Sequence, residues 1–289
     1  MENKIGIVFG GGGGKGAYQI GVWKALDTLG VSGLIKGVSG ASVGALNGAM
    51  FCAGKLDAAI GAWSGLSEDA ILKPNDRRKG HSYNGWFSNS GLRQLIRQHI
   101  DLSAVKNSKT VFYATATRIK KPESLYRYIK TYSEKNTFHR LLTAVLTGPL
   151  TWTATARYFK ISDYDKKVIE DIILASAAIP FVFPDIIIDG EAYVDGGIKD
   201  NVPVTPLYHD GFRKILVVAL DTAFELPEKK FPGATFLKLA LGEGDPLKSF
   251  ADTFDFTGQG AQIRMQWGYD DCIGMADAVF DFVSHGAAP

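Results

Sequence analysis

The chain has 289 residues, 46% of them hydrophobic, which is enough to bury a full core in one large domain or two small ones. A formal net charge of +2 leaves no basic footprint for nucleic acid, and two cysteines, Cys52 and Cys272, supply no disulfide framework and fit a reducing compartment. No apolar run reaches the length of about 18 residues that a membrane span needs, and no charged-then-apolar leader opens the sequence, so a cytoplasmic location is expected, with signal-independent export left open.

Ile5 to Phe9 is a short apolar run bounded by glycine, the pattern of a buried strand. Five glycines follow, Gly10 to Gly14, and Ala17 to Leu29 reads as a helix with Ile20, Trp23, Ala25 and Leu26 inward and Gly30 as its stop. A second strand, Leu34 to Val38, leads into "SGASVGALNGAMFCAG", a helix of small residues suited to tight packing. Helices are predicted at Leu56 to Leu66, and at Leu92 to Ile100 after the cap-like Asn89 and Ser90. "TVFYATATRI" alternates as a strand does, and "SLYRYIKTY" is a candidate partner for it. Lys166 to Ala177 reads as a helix, "IPFVFPDIII" breaks it with two prolines, and "KILVVALD" is the last clear buried strand. Strand and helix alternate, which predicts an α/β fold with a central, mostly parallel sheet between layers of helices. Composition does not shift along the chain, so a single domain over 1–289 is expected.

Two stretches stand apart. Residues 71–90 are loop-like, with a basic run of Arg77, Arg78 and Lys79 that reads as a solvated face or a site for anionic headgroups. Residues 136–156 are apolar and broken by Gly148 and Pro149, which fits a core helix with a turn or a lid over an apolar site.

The glycine run admits three readings. A phosphate-binding P-loop counted back from Lys15 puts Phe9 where glycine belongs and Gly16 where a hydroxyl belongs. A dinucleotide fingerprint matches Gly11, Gly13 and Gly16, but the second strand, "LIKGVSG", lacks the acidic residue that holds a ribose. The third reading rests on "GASVG", Gly40 to Gly44, a G-x-S-x-G between strand and helix, as a nucleophile elbow requires. Ser42 is then the candidate nucleophile, with Ser39 as a less favoured register. Adjacent parallel strands end at the same sheet edge, so the bare amides of the glycine loop are placed to hold an oxyanion beside the serine hydroxyl.

A serine needs a base. Of the five histidines, His81, His99, His139, His209 and His285, only His209 and His285 follow in triad order, and neither has a distinctive context. Asp195, in "YVDGGIKDNVPV", closes a short strand before Gly196 and Gly197; alone, Asp-Gly reads sooner as a hairpin turn than as a base.

Taken together, "GGGGKG", "GASVG" and "DGG" in this order, with "GALNGA", "ASAAIPFVFP", "DNVPV" and "GYDD" around them, resemble the patatin-like phospholipases, a family of serine lipid acyl hydrolases. The resemblance thins between about 120 and 156, which looks like a family-variable insertion. It implies a patatin-like three-layer fold and a Ser42–Asp195 dyad; the sequence shows no calcium loop or zinc-spaced His/Cys cluster, so neither metal nor cofactor is expected. The oxyanion hole would be drawn from Gly11, Gly12, Gly13 and Gly14, with Lys15, Gly16, Gly40, Gly44, Gly196 and Gly197 supporting the motifs. Val43 departs from the small residue more common after the serine. The implied substrate is a lipid ester, at a membrane surface in one reading, with Leu141 to Ala156 and Trp86, Phe87, Trp152, Tyr158 and Phe159 as candidates for an acyl channel. Acyl transfer to an alcohol and non-catalytic lipid binding are the alternatives.

Overall fold

β1 (Ile5–Phe9) is buried along its whole length, as an unbroken apolar run with a partner on each side requires. The computed structural model describes residues 4–74, 87–120, 154–180, 182–239 and 253–284. The glycine run passes through a short 3-10 segment, Gly13–Gly16, into α1 (Ala17–Thr28). β2 (Ile35–Ala41) continues beyond its predicted end at Val38, so it delivers the chain to Ser42 and directly into α2 (Val43–Ala53). α3 (Leu56–Ser64), α4 (Glu68–Ile71), α5 (Ser90–His99) and α6 (Leu102–Lys106) lead to β3 (Val111–Ile119). The cap of α5 differs from expectation: Ser88 Oγ accepts the N–H of Ser90 at 3.1 Å, while Asn89 Nδ2 donates to the Pro184 carbonyl at 3.1 Å.

β4 (Ala154–Lys160) pairs antiparallel with β3. It begins inside the stretch read as a core helix or lid, so residues 154–156 are neither. The rest of that stretch, and "SLYRYIKTY", lie outside the described residues. α7 (Lys166–Ser176) is capped by Asp165, whose Oδ1 accepts from Lys167 N and Val168 N at 3.0 Å. β5 (Ile186–Ile188) and β6 (Glu191–Asp195) form a hairpin through Asp189 and Gly190, both at positive φ as a type I′ turn demands. α8 (Thr205–His209), β7 (Lys214–Val218), β8 (Thr235–Lys238), α9 (Gly258–Gly274) and α10 (Ala276–Ser284) complete the described chain.

The sheet order is β5-β6-β3-β2-β1-β7-β8, with β4 on the other edge of β3. β1, β2, β3, β7 and β8 are parallel, and β4 and β6 run against β3. Side chains alternate between two cores: Ile5, Ile7, Phe9, Leu216 and Val218 face the larger one, while Val8, Ile215 and Val217 face a smaller one. α1, α2, α3, α5, α7 and α9 build the larger core; α8 and its neighbours Val202, Val204 and Phe212 cover the opposite face. The sheet is thus mixed, mostly parallel and lies between helices.

α9 was not foreseen, because glycines at 258, 260, 268 and 274 weaken its intrinsic propensity. It is held by tertiary contact. A Cβ on Gly21 would overlap the Met265 carbonyl, and one on Gly268 would overlap the Tyr18 carbonyl, so the two glycines let α1 and α9 touch backbone to backbone. Tyr18 Oη also donates to Asp271 Oδ2 at 2.8 Å, which accounts for two residues of "GYDD".

Candidate active site

Ser42 sits at the turn between β2 and α2 with φ 55° and ψ −129°, backbone that a non-glycine residue adopts only under strain. Turning straight from strand to helix brings the two elements into contact. A Cβ on Gly40 would overlap the Gly44 carbonyl, and one on Gly44 would overlap the Phe9 carbonyl of β1, so both glycines of "GASVG" are required by close approach. Ser42 N–H donates to Ser176 Oγ at 3.0 Å, and the Ser176 hydroxyl donates to the Thr115 carbonyl at 2.6 Å, wholly buried.

The register on β3 explains how Asp195 reaches this turn. β2 and β6 occupy the same edge of β3 from opposite ends, because β4 holds the other edge along residues 113–119. β2 finishes with Ala41 opposite Thr115, and β6 finishes with Asp195 opposite Ala116. Their C-terminal ends therefore meet head to head. Ser42 Oγ donates to Asp195 Oδ2 at 2.6 Å, and both residues are only 6% exposed. Asp195 Oδ1 accepts Gly197 N–H at 2.7 Å, and Asp195 N–H donates to the Ala178 carbonyl at 2.9 Å. Burial lifts the Asp195 carboxyl to about 6, against the lowering effect of the Ser42 and Gly197 donors. Asp195 and Gly196 are not the hairpin pair that their identity allows; that turn is Asp189 and Gly190.

"ASAAIPF" thus acts twice: Ser176 holds the serine turn and Ala178 holds the aspartate. Ser176→Ala is expected to strand the Ser42 amide and the Thr115 carbonyl, with a loss of about 1–3 kcal/mol. Urea unfolding with m unchanged would show it, and a stability within error of the parent would discount this tie.

The glycine loop lies against the same turn. Gly11 N–H donates to the Asn201 carbonyl at 3.0 Å and Asn201 Nδ2 donates back to the Gly11 carbonyl at 3.3 Å. Gly11 is therefore a tether between the first and third sequence blocks, and its engaged amide removes it from the expected set of oxyanion donors. The N–H groups of Gly12, Gly13 and Gly14 have no partner among the described residues, and Gly13 takes φ +56°, where glycine carries no steric penalty. Lys15 N–H closes the turn onto the Gly12 carbonyl at 3.2 Å, and the Lys15 side chain is half-buried. A buried network braces the loop from below: Gln19 Nε2 donates to the Gly10 carbonyl at 2.7 Å. Asn47 Nδ2 donates to the Gly16 carbonyl at 2.9 Å and to Gln19 Oε1 at 2.8 Å, and Trp63 Nε1 donates to Asn47 Oδ1 at 3.0 Å. Gln19, Asn47, Ser176 and Asn201 went unassigned in the sequence, although the last three lie within quoted motif flanks.

No histidine bonds Ser42 or Asp195 among the described residues; His209 ends α8, and His81, His139 and His285 lie outside them. Ser39 is sealed inside β2 with its hydroxyl unpartnered and has no route to a substrate. The aromatic residues expected to line a channel do otherwise. Phe159 is 3% exposed between Tyr164 and Tyr193, Tyr158 Oη donates to Asp200 Oδ2 at 2.6 Å, and Phe87 packs, partly buried, against the larger core. Trp86, Trp152, the rest of the 141–156 stretch and the basic run at 77–79 fall outside the described residues.

An apolar groove is lined instead by Val43, the residue after Ser42, and by Leu46 and Met50 of α2. α3 supplies Ala62 and Trp63, and α5 supplies Leu92, Ile96 and His99. The indole N–H of Trp63 is already held by Asn47, so, His99 aside, no lining side chain offers a free hydrogen-bonding group. Hydrocarbon fits such a lining and a polar ligand does not.

A family model described as patatin-like phospholipase matches residues 7–208, which hold the glycine loop, the serine turn and Asp195. The chain belongs to the patatin-like phospholipase family. An uncharacterized NTE family protein of Mycobacterium tuberculosis is 25% identical over 204 residues, 71% of this chain and 45% of that protein. Lysophospholipase NTE1 of Cryptococcus neoformans var. neoformans is 26% identical over 226 residues, 74% of this chain and 11% of that protein. Neuropathy target esterase sws of Drosophila persimilis is 50% identical over 50 residues, 17% of this chain and 3% of that protein. This patatin-like chain spans less than half the length of these relatives. Among solved structures, VipD from Legionella pneumophila aligns with 96% of this chain and 67% of its own, at 13% identity and a TM-score of 0.46. No helix among the described residues is long and apolar enough to cross a membrane.

Proposed function

We propose that this patatin-like chain is a lipid acyl hydrolase that cleaves fatty acyl esters through an acyl-serine intermediate. The observation that carries the reading is the 2.6 Å hydrogen bond from Ser42 Oγ to the buried Asp195 carboxylate at a strained strand-to-helix turn. Ser42 Oγ attacks the ester carbonyl carbon and its proton passes to Asp195 Oδ2. The carbonyl oxygen becomes an oxyanion facing the N–H groups of Gly12, Gly13 and Gly14, one of which is typically worth about 3–4 kcal/mol of barrier. Collapse breaks the bond to the alcohol, which leaves with the proton held by Asp195. Water repeats the sequence and releases the fatty acid, restoring the Ser42 hydroxyl. A carboxyl whose value is about 6 is largely ionised at neutral pH and near enough to it to accept a proton in the transition state. The Val43–Met50 groove supports a hydrocarbon acyl group, and the name of the fungal relative, a lysophospholipase, supports a lipid ester.

The test is labelling by a fluorophosphonate together with fatty-acid release from phospholipid and lysophospholipid micelles. Adduct at Ser42, with both signals absent in Ser42→Ala, is expected; release that persists in folded Ser42→Ala would overturn the reading. Filling the groove with Ala62→Phe is expected to shift preference toward shorter acyl chains, by about fourfold in kcat/KM for each methylene excluded. A panel of nitrophenyl esters of increasing length measures that shift.

A further inference from the structure

The glycine loop is held from a direction that lies beyond the family match at 7–208. Arg264, on α9, is 2% exposed, and its Nη1 donates to the Gly14 carbonyl at 3.3 Å and to the Asp255 carbonyl at 3.0 Å. Its Nη2 pairs with Asp255 Oδ2, while its Nε is buried without a partner. The segment that carries Asp255 also presses on the loop: the space a Cβ of Gly13 would occupy is taken by the Thr253 carbonyl. α9 itself is fixed to α1 through the Gly21 and Gly268 contact, so Arg264 reaches the loop from a rigid support.

A buried guanidinium with one N–H unsatisfied carries a desolvation penalty that better packing by an apolar residue would avoid. What the arginine does supply is control of one peptide plane. In a trans peptide the carbonyl of Gly14 and the N–H of Lys15 point in opposite directions. Arg264 holds the carbonyl and the Gly12 carbonyl holds the N–H at 3.2 Å, so the plane is fixed at both ends. Without Arg264 the plane would rest on the Lys15 bond alone, and because Gly13 and Gly14 offer little steric resistance, a tilt of it would shift the N–H groups of the planes just before it.

We infer that Arg264, clamped to Asp255, is a positioning residue that sets the donor geometry of the Gly12–Gly14 loop, so that the helix following the matched family region completes the oxyanion hole. The inference rests on the acyl-hydrolase reading of Ser42 and Asp195. Lysine at this position keeps one charge but cannot serve the Gly14 carbonyl and Asp255 with a planar fork. Arg264→Lys is therefore expected to lower kcat on nitrophenyl esters by about 10- to 100-fold with KM unchanged, as a misplaced catalytic geometry does. The rate of fluorophosphonate capture should fall in the same proportion, and the pH profile set by Asp195 should stay where it is. Arg264→Ala should lose more, and millimolar guanidinium should restore part of its kcat, which a purely structural role would not allow. Measurements are made below the melting temperature of each variant. An unchanged kcat in folded Arg264→Lys, a loss confined to KM, or the failure of both variants to fold at any temperature would overturn the inference. Hydrolysis that persists in Ser42→Ala would instead overturn the reading beneath it.

Discussion

Asp195→Asn is expected to abolish ester hydrolysis and at the same time to make the folded chain more stable at neutral pH. The loss of activity follows from removing the group that, among the described residues, is placed to take the Ser42 proton, with general-base removal costing about 10²–10⁴ in rate. The gain in stability follows from the sign of the Asp195 shift. Its carboxyl rises from 3.8 to about 6 because burial penalises the charged form. Between those two values the folded chain binds more protons than the unfolded one, so this group favours folding most fully below the unfolded value and loses that contribution as pH rises through about 6. Above it the buried carboxylate is a standing penalty on the order of 1–3 kcal/mol. Asparagine carries no charge to desolvate and its amide can still meet Ser42 and Gly197. The variant should therefore melt a few degrees above the parent at pH 8, and the gap should close as pH falls toward 4. Activity of the parent should climb with pH through about 6 and then level off. Appreciable hydrolysis by the variant, or a melting gap that widens in acid, would refute the assignment of Asp195 as base.

The same arithmetic shows why such a site needs the scaffold around it. A strained serine and a raised carboxylate both oppose folding, and each is held by atoms from a third element: Ser176 on the serine amide, Ala178 on the aspartate amide. Much of this was legible in the sequence. The apolar runs of β1 and β7 are buried on both faces, so periodicity alone marks them as central parallel strands. Ser42 and the glycine loop stood out because a strained turn and a bare amide each demand particular small residues, whereas Asp195 was marked only by the resemblance that the three blocks carry together. What stayed hidden depends on contacts between distant segments. β4 was unreadable as a partner of β3 because antiparallel pairing across residues 113–119 leaves no local mark. α9 contradicts its own glycine content and exists through its packing on α1. Arg264 looks in sequence like any helical surface arginine, and only burial beneath the glycine loop distinguishes it. The groove was sought among aromatic residues, yet Phe159 and Tyr158 belong to a strand whose alternation turns one into the core and the other toward Asp200. The apolar face of α2, quoted only as a small-residue helix, carries it instead.

Two glycines in neighbouring helices should respond to alanine in opposite directions. At Gly44, in the first turn of α2, a Cβ would overlap the carbonyl oxygen and carbon of Phe9 and crowd the Gly10 carbonyl at 2.8 Å. All of these are backbone atoms of β1 and of the loop that follows, so no rotamer can yield; relief requires α2 to move away from the sheet. Overpacking of a close-packed core costs about 1–3 kcal/mol where side chains can adjust, and here the upper end or beyond is expected. Displacing α2 also carries Ser42 away from Asp195, so Gly44→Ala should lose hydrolysis as well as stability. Gly61 sits mid-helix in α3, exposed, with nothing within 4 Å of the added methyl group. There alanine only narrows the unfolded ensemble and supports the helix, a gain of about 0.5–1 kcal/mol. Urea titrations of the two variants side by side separate these outcomes, since the second should unfold at higher denaturant than the parent with an unchanged slope. If Gly44→Ala unfolded with the parent, the serine turn would have slack that its contacts with β1 deny, and the tight strand-to-helix corner would have to be abandoned as the reason for the second glycine of "GASVG".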